Sequence, residues 1–267
     1  MAVSDAKVMG VVNVTPDSFS DGGLYLDPDA AIAHGRELVA AGADILDVGG
    51  ESTRPGADPV PADEERRRVE PVVAGLAGEG VEISVDTSKA TVAAAALDAG
   101  ATIVNDVTAL RGDSEMAALV AERECGVVLM HMAGEPRTMQ VSPPDYGGDV
   151  VGAVCEFLAG RMAAAVAAGI LAERVWLDPG IGFGKTDRHN FELLRGLPEL
   201  ASLGRPLVVG TSRKSFIGRA DGSPADARLG GTIATSVLAA AAGAAVLRVH
   251  DVSELEQALK VAAAVLG

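Results

Sequence analysis

The sequence predicts an α/β fold closed as a single-domain (β/α)8 TIM barrel, on three observations. Short β-branched runs alternate with Ala-rich helical stretches about eight times, at spacings of ~20 to 45 residues, which calls for right-handed parallel crossovers. One module recurs in "AAGADILDVGG" (40–50), "DAGATIVNDV" (98–107) and "AAGAAVLRVH" (241–250). Each copy reads as a helix end, a Gly suited to the left-handed C′ position, and a strand running into polar residues. The composition, 48% hydrophobic but 3% aromatic, describes an interior of Ala, Val, Leu and Ile, as in parallel strands covered by helices. The alternation runs the length of the 267 residues with no linker or low-complexity tract, so one domain over 1–267 is expected.

In order along the chain, strand one near 7–13 is the first apolar run and breaks into "NVTPDSFSDGG". A helix near 28–41 ends at Gly42 before a strand near 44–48. The helix near 61–78 sets Asp63 to Glu65 against Arg66 to Arg68 at i,i+3 and i,i+4 spacing, an exposed salt-bridged face that needs no function. Strand three, near 82–86, passes through "DTSK" into a helix near 88–98 that Thr87 or Ser88 can cap. Strand four (102–105) ends in Asn105-Asp106 and is followed by a helix near 114–123 and a strand near 126–131. A polar loop, 132–148, precedes the helix near 149–168. Strand six (174–178) enters "LDPGIGFGK", then come a helix near 188–195, a strand near 206–210, a helix near 229–242, a strand near 246–249 and a helix near 253–265.

A doubly wound open sheet is the competing fold. It is signalled by G-x-G-x-x-G after strand one, which "NVTPDSFSDGG" lacks; "GIGFGK" fits neither the dinucleotide nor the phosphate-loop spacing. The apolar run "GGTIATSVLAAAAGAAVL" (230–247) contains Gly and hydroxyl residues and fits a buried helix and strand better than a membrane span. "MAVSDAKV" carries no secretory pattern. Cys125 and Cys155 lack metal-site spacing and read as buried thiols, which places the protein in reducing cytoplasm. A net charge of −15 argues against nucleic acid and requires any anionic substrate to meet a local cluster of bases.

Barrels of this kind assemble their sites from the C-terminal ends of the strands. Those ends carry Asn13; Asp47 with "GGESTRP"; Asp86; Asn105-Asp106; His131; Asp178; Arg213 and Lys214 in "GTSRKSF"; and Arg248-x-His250. A lone Asp after a strand is ordinarily an Asx turn or helix cap, and Asp47, Asp106 and Asp251 are assigned mainly there. His131 reads either as a satisfied core histidine or as a pocket residue, and Lys185 either as a solvated charge or as part of the site. Together, so many charged ends would bury unpaired charge unless a ligand joined them. Asp86, Asn105 and Asp178 offer edges suited to a flat heterocycle with amino and ring N–H donors. Arg54, Lys214, Arg248 and His250 suit phosphate oxygens.

"NVTPDSFSDGG", "DVGGESTRPGA", "SVDTSK", "NDV", "LDPGIGFGK", "GTSRKSFIG" and "RVHDV", in this order, resemble the dihydropteroate synthase family of pterin-binding enzymes, from strand one to the last helix. The resemblance implies condensation of 6-hydroxymethyl-7,8-dihydropterin pyrophosphate with p-aminobenzoate, giving 7,8-dihydropteroate and pyrophosphate, in a cytoplasmic homodimer that sulfonamides target. It implies that Asp86, Asn105, Asp178, Lys214, Met130 and Gly210 bind the pterin. Asn13, Arg54, Arg248 and His250 would hold the pyrophosphate, with Asn13 also a ligand of Mg2+. Phe19, Thr53, Arg54, Pro55, Phe183 and Ser212 would face p-aminobenzoate, and Asp86, Lys214, Arg248 and His250 would carry catalysis. "VTPDSFSDGG" and "ESTRPGADP" would be loops that close over the substrates. Two rival readings share the pterin-facing residues: a methyltetrahydrofolate–corrinoid methyltransferase and a catalytically silent pterin-binding paralogue.

Overall fold

The computed structural model describes residues 3–15, 27–53, 56–135 and 137–266. Phe19, Arg54, Pro55 and most of the first polar loop lie outside them. Eight parallel strands, β1 (Lys7–Asn13), β2 (Ile45–Gly49), β3 (Glu82–Asp86), β4 (Ile103–Asp106), β5 (Gly126–Met130), β6 (Val175–Asp178), β7 (Val208–Val209) and β8 (Val246–Val249), form one sheet in the order β6-β5-β4-β3-β2-β1-β8-β7. A parallel bridge between Leu177 and Leu207 joins its two ends and closes the barrel. The helices of the repeating units are α1 (Pro28–Ala40), α2 (Ala62–Leu76), α3 (Ala90–Ala99), α4 (Met116–Arg123), α5 (Val150–Ala167), α6 (Asp187–Arg195), α9 (Leu229–Ala241) and α10 (Val252–Leu266). Two short helices, α7 (Leu197–Ala201) and α8 (Ser215–Asp221), were not expected. Both are shorter than the two turns over which a 3.6-residue period can be read.

The repeated Gly does the work its position suggested: Gly42, Gly100 and Gly243 have φ of 107°, 118° and 99°. Each lets the chain leave a helix and turn into the next strand. Strand seven is shorter than the expected 206–210 because Pro206 has no N–H to add to the ladder; only its carbonyl takes part, accepting from Leu177 N at 2.9 Å.

The pleat separates stability from chemistry. Val8, Val12, Leu46, Val48, Val104, Leu177 and Leu247 belong to the main core against the helices. The alternate residues Met9, Ile45, Ile103, Val128, Val208 and Val246 form a separate plug inside the barrel, with Trp176 against it. Because side chains repeat with a period of two, the next inward residues toward the C-terminal rim are Asp47, Asn105, Met130, Gly210 and Arg248, with Asp178 two beyond Trp176. The register brings neighbours into line: Asn13 pairs with Gly49, Gly49 with Asp86, Asp86 with Asn105, and Met130 with Asp178.

Among the described residues α5 is the one helix long and apolar enough to cross a membrane by length and composition. Its buried residues Val150, Val154, Leu158 and Ala165 recur on one face, as in a helix that covers a barrel.

Candidate active site at the carboxyl rim

The rim is built around one guanidinium. Arg248 leaves β8 inside the barrel and donates through Nε to Asp47 Oδ2 at 2.6 Å and through Nη2 to Asp86 Oδ2 at 2.9 Å. Asn105 Nδ2 reaches the same Asp47 oxygen at 3.2 Å. Asp47 is fully buried and Asp86 nearly so, and Oδ1 of each has no hydrogen-bond partner. Burial pushes the Asp86 carboxyl up to about 8, against the pull of Arg248 and with the push of Asp47, Glu65 and Asp106. For Arg248 burial acts to lower the pKa, but Asp47 and Asp86 more than offset it and hold the guanidinium charged. Buried acceptor oxygens of this kind are satisfied by a ligand that brings N–H donors or positive charge.

A second group comes from β6, its Gly-rich turn and the β7 loop. Asp178 Oδ1 accepts from Gly180 N at 2.6 Å, folding the turn back over the strand. Gly180 lies at φ 65°, and a Cβ there would come within 1.9 Å of the His131 carbonyl, so no other residue fits. The turn presents the Ile181 carbonyl to Lys214 Nζ and the Phe183 ring beneath it, with Nζ 4.6 Å from the centroid. Burial lowers Lys214 to about 8; Asp178 resists that shift and Arg248 adds to it. Burial likewise raises Asp178, with Lys214 the first of the charges opposing it. Met130 packs with Val107, Met132, Met139 and Phe183 into an apolar wall.

The β7 loop is pinned from outside. Arg213 holds φ 57° while its guanidinium grips both Asp251 oxygens, at 2.5 and 3.1 Å, and its backbone N–H donates to Thr232 Oγ1 at 2.9 Å. A non-glycine residue stays in the left-handed region only when its surroundings over-determine it, and here the result is that Ser212 and Lys214 flank the rim. Ser212 Oγ lies 2.9 Å from His250 Nδ1 and accepts from His250 N at 3.2 Å.

The structure therefore gathers Asp86, Asn105, Asp178, Lys214, Arg248, His250, Ser212, Phe183 and Met130 at one end of the barrel, with Asn13 beside them on β1. Gly210 lies next to Arg248, leaving 3.7 Å between a notional Cβ and the Arg248 Cβ. Thr53 borders a cavity of about 100 Å3 that Asp86 also lines.

Several sequence readings change. Asp47 is neither an Asx turn nor a cap but the partner of Arg248. Its signal was parity: Asp47 sits inside β2, two residues after inward-facing Ile45. Asp251 holds the position before α10, its carbonyl accepting from Leu255 N at 3.3 Å, while its carboxylate pairs with Arg213; Asp106 is the Asx turn expected, accepting from Thr108 N and Leu110 N at 2.8 Å. Arg248, grouped with phosphate-binding bases, is paired with Asp47 and Asp86, and Lys214 Nζ donates to the Ile181 carbonyl, so carboxylates stand among the cations of the rim. Glu65 is not on an exposed face; it is buried against Lys89, at 2.5 Å. Lys185 is not solvated but fully buried, donating to the carbonyls of Gly180 (2.9 Å), Phe183 (3.0 Å) and His131 (3.2 Å). Its Nζ also lies 2.9 Å from His131 Nδ1. His131 is thus a core residue, packed edge-on to Phe157. Burial and Lys185 lower it to about 3, so it is neutral at pH 7.

The comparisons bear on family and fold. The family pattern described as "Pterin binding enzyme" matches residues 9–250. The dihydropteroate synthase of Neisseria meningitidis serogroup C is 50% identical over 258 residues, covering 95% of this chain and 90% of its own. The Yersinia pestis dihydropteroate synthase, solved with a sulfonamide drug complex, superposes with a TM-score of 0.95 at 43% identity, over 100% of this chain and 96% of its own. The Xanthomonas albilineans dihydropteroate synthase with 4-aminobenzoic acid gives 0.92 at 48% identity, over 100% and 95%. With 7,8-dihydropteroate it gives 0.88 at 44% identity, over 100% and 96%.

Proposed function

The chain belongs to the pterin-binding enzyme family, and from that membership we propose how its rim carries out the dihydropteroate synthase reaction of folate biosynthesis. The amine of p-aminobenzoate attacks the exocyclic methylene of 6-hydroxymethyl-7,8-dihydropterin pyrophosphate. The C–O bond breaks with its electron pair leaving on pyrophosphate, and the new secondary amine sheds a proton to give 7,8-dihydropteroate.

The observation that carries the assignment of roles is the buried Asp86 carboxylate, held on one oxygen by Arg248 and unpartnered on the other. Departure of pyrophosphate leaves positive charge on the methylene, which the electron-rich dihydropterin spreads into its ring. Burial holds the Asp86 carboxyl at about 8; positive charge developing beside it favours the ionised form, and a carboxylate fixed in a dry site then stabilises that charge with little reorganisation. Asp178 and Asn105 complete the acceptor edge for the pterin amino and ring N–H groups, with Met130, Gly210 and Lys214 lining the ring. Arg248 and His250 are assigned to the leaving diphosphate, a role that the resemblance extends to Arg54, outside the described residues. Thr53, Phe183 and Ser212, with Phe19 and Pro55, receive p-aminobenzoate. No protein nucleophile is required, and burial raises both thiols, Cys125 and Cys155, away from thiolate character.

Among the described residues no group of three His, Cys, Asp or Glu side chains could hold a metal. Asn13, at the end of β1, offers one hard amide oxygen. That donor set fits Mg2+ carried by substrate, since Mg2+ keeps most of its shell from phosphate and water. Bound there, Mg2+ would neutralise charge on the leaving group. Asn13→Ala is expected to remove about tenfold of the Mg2+-dependent gain in pyrophosphate affinity, ~1.4 kcal/mol. Isothermal titration with and without Mg2+ measures this, and an unchanged gain would remove Asn13 from the site.

Pyrophosphate release with and without p-aminobenzoate tests the reaction itself. Release is expected to depend on p-aminobenzoate and to match dihydropteroate formed mole for mole; no release with both substrates present would leave the silent-paralogue reading. We also propose a homodimer, supported by the exposed apolar residues Leu238 on α9 and Val261 and Val265 on α10. Two unbridged cysteines suit a reducing cytoplasm.

A further inference from the structure

An ion-pair network that no chemical step uses joins the β2 loop to the start of α3. Lys89 Nζ lies 2.6 Å from Glu51 Oε2 and 2.5 Å from Glu65 Oε2. The same Glu51 oxygen accepts from Val60 N at 2.7 Å, tying the two ends of the loop stem together. We propose that Glu51 and Lys89 are positioning residues that set the separation between Thr53, on the p-aminobenzoate side, and Asp86, on the pterin side. This rests on the reading of Thr53 given above.

The register explains why side chains are needed. Gly49 on β2 pairs with Asp86 on β3, and Glu51 stands two residues past Gly49 as Lys89 stands three past Asp86. The backbone ladder stops at the first of these levels because the two chains diverge, one into its loop and the other into α3. The Glu51–Lys89 pair forms the next rung. Its base is rigid: Glu65 is buried on α2 and packs under Gly50, where a Cβ would come within 3.0 Å of the Glu65 Cγ and carbonyl oxygen. Thr53 lies two residues past the strut. The cavity that Thr53 and Asp86 share is lined by Glu51, Glu65, Val107 and Met132 as well, so the strut borders the space between the two substrate sides. Half-buried and shared between two carboxylates, Lys89 is held more firmly than a solvent-exposed pair would be.

Removing the strut should therefore displace one substrate and spare the other. Glu51→Gln keeps an acceptor for Val60 N and loses the charge facing Lys89. It is expected to raise KM for p-aminobenzoate about tenfold, with kcat at saturation and KM for the dihydropterin pyrophosphate changed by less than about twofold. Lys89→Met should show the same split, with some loss of melting temperature because Glu65 is left unpaired. The double variant should be no worse in p-aminobenzoate KM than Lys89→Met alone, since both remove one contact. Equal rises in the two KM values, additive single effects, or an unchanged p-aminobenzoate KM in Glu51→Gln would each overturn the proposal. Thr53→Val separates this from the underlying reading. It should raise the p-aminobenzoate KM on its own; if it does not, the assignment of Thr53 fails and the strut with it. If Thr53→Val raises that KM and Glu51→Gln does not, the strut alone is wrong.

Discussion

Asp86→Asn is expected to lower kcat by roughly a thousandfold, about 4 kcal/mol of transition-state stabilisation, while pyrophosphate affinity changes by no more than about twofold. The substitution keeps the shape of the side chain and an oxygen for Arg248, and Arg248 retains Asp47 at 2.6 Å. What disappears is the negative charge that Asp86, with its pKa of about 8, takes up as positive charge develops on the methylene beside it and the diphosphate departs. Stability should move the other way. The folded pKa of Asp86, about 8, lies above its ordinary value of 3.8, so the folded protein binds this proton more tightly than the unfolded chain does. Ionisation of Asp86 therefore opposes folding increasingly as pH rises from about 4 to about 8. The Asn variant lacks that penalty and is expected to melt at or above the wild-type temperature at pH 7, with a flatter pH dependence across that window. Steady-state kinetics, titration with pyrophosphate and thermal melts at several pH values test the two halves together. A variant with wild-type kcat would remove Asp86 from cation stabilisation, and one that melts much lower would make its loss of activity structural.

The contrast between Asp86 and Asp47 shows where the site was legible. A residue at or next to the end of a strand declares itself, because the apolar run stops and a polar side chain follows; Asn13, Asp86, Asn105 and Asp178 were found in that way, along with seven of the eight strands to within about a residue, whereas Arg248, inside β8 between Leu247 and Val249, stood out through the Arg-x-His pattern. A charge within the strand gives no such edge. Asp47 is flanked by Leu46 and Val48, and only the inward parity it shares with Ile45 distinguishes it. Depth is the second quantity that local sequence does not carry. Glu65 sits in "DEERRR", whose spacing suits a solvated helix face, yet α2 turns that one residue toward Gly50, where the missing side chain makes room. Lys185 follows a Gly-rich turn, as a surface lysine would, and its burial arises only because the turn folds back over β6. Helices α7 and α8 escaped notice because they are too brief for periodicity to register.

Lys185→Met is expected to cost about 3 kcal/mol of stability, comparable to leaving several buried acceptors without their donor, and to abolish most activity although Lys185 touches no substrate in the reading above. The substituted side chain is nearly the same length and apolar, and replacing a buried polar group by an apolar one is often nearly neutral when its partners are replaced as well. Here the partners remain. The carbonyls of Gly180, Phe183 and His131 and the His131 ring nitrogen all converge on Nζ within 3.2 Å; without it the Gly180 carbonyl keeps Phe183 N at 3.0 Å, but the His131 carbonyl and ring nitrogen lose a donor inside the core and the Phe183 carbonyl loses one at its edge. At this chain length the loss corresponds to a fall in melting temperature of roughly 10 °C. Gly180 and Phe183 belong to the turn that also supplies the Gly180 N–H to Asp178, the Ile181 carbonyl to Lys214 and the ring beneath it. A relaxed turn should therefore blunt the pterin and p-aminobenzoate sides at once, raising both KM values, unlike Glu51→Gln. Thermal and urea melts with two-substrate kinetics measure this. A melting temperature within about a degree of wild type would mean that the carbonyls find other donors and that Lys185 is not what holds the turn.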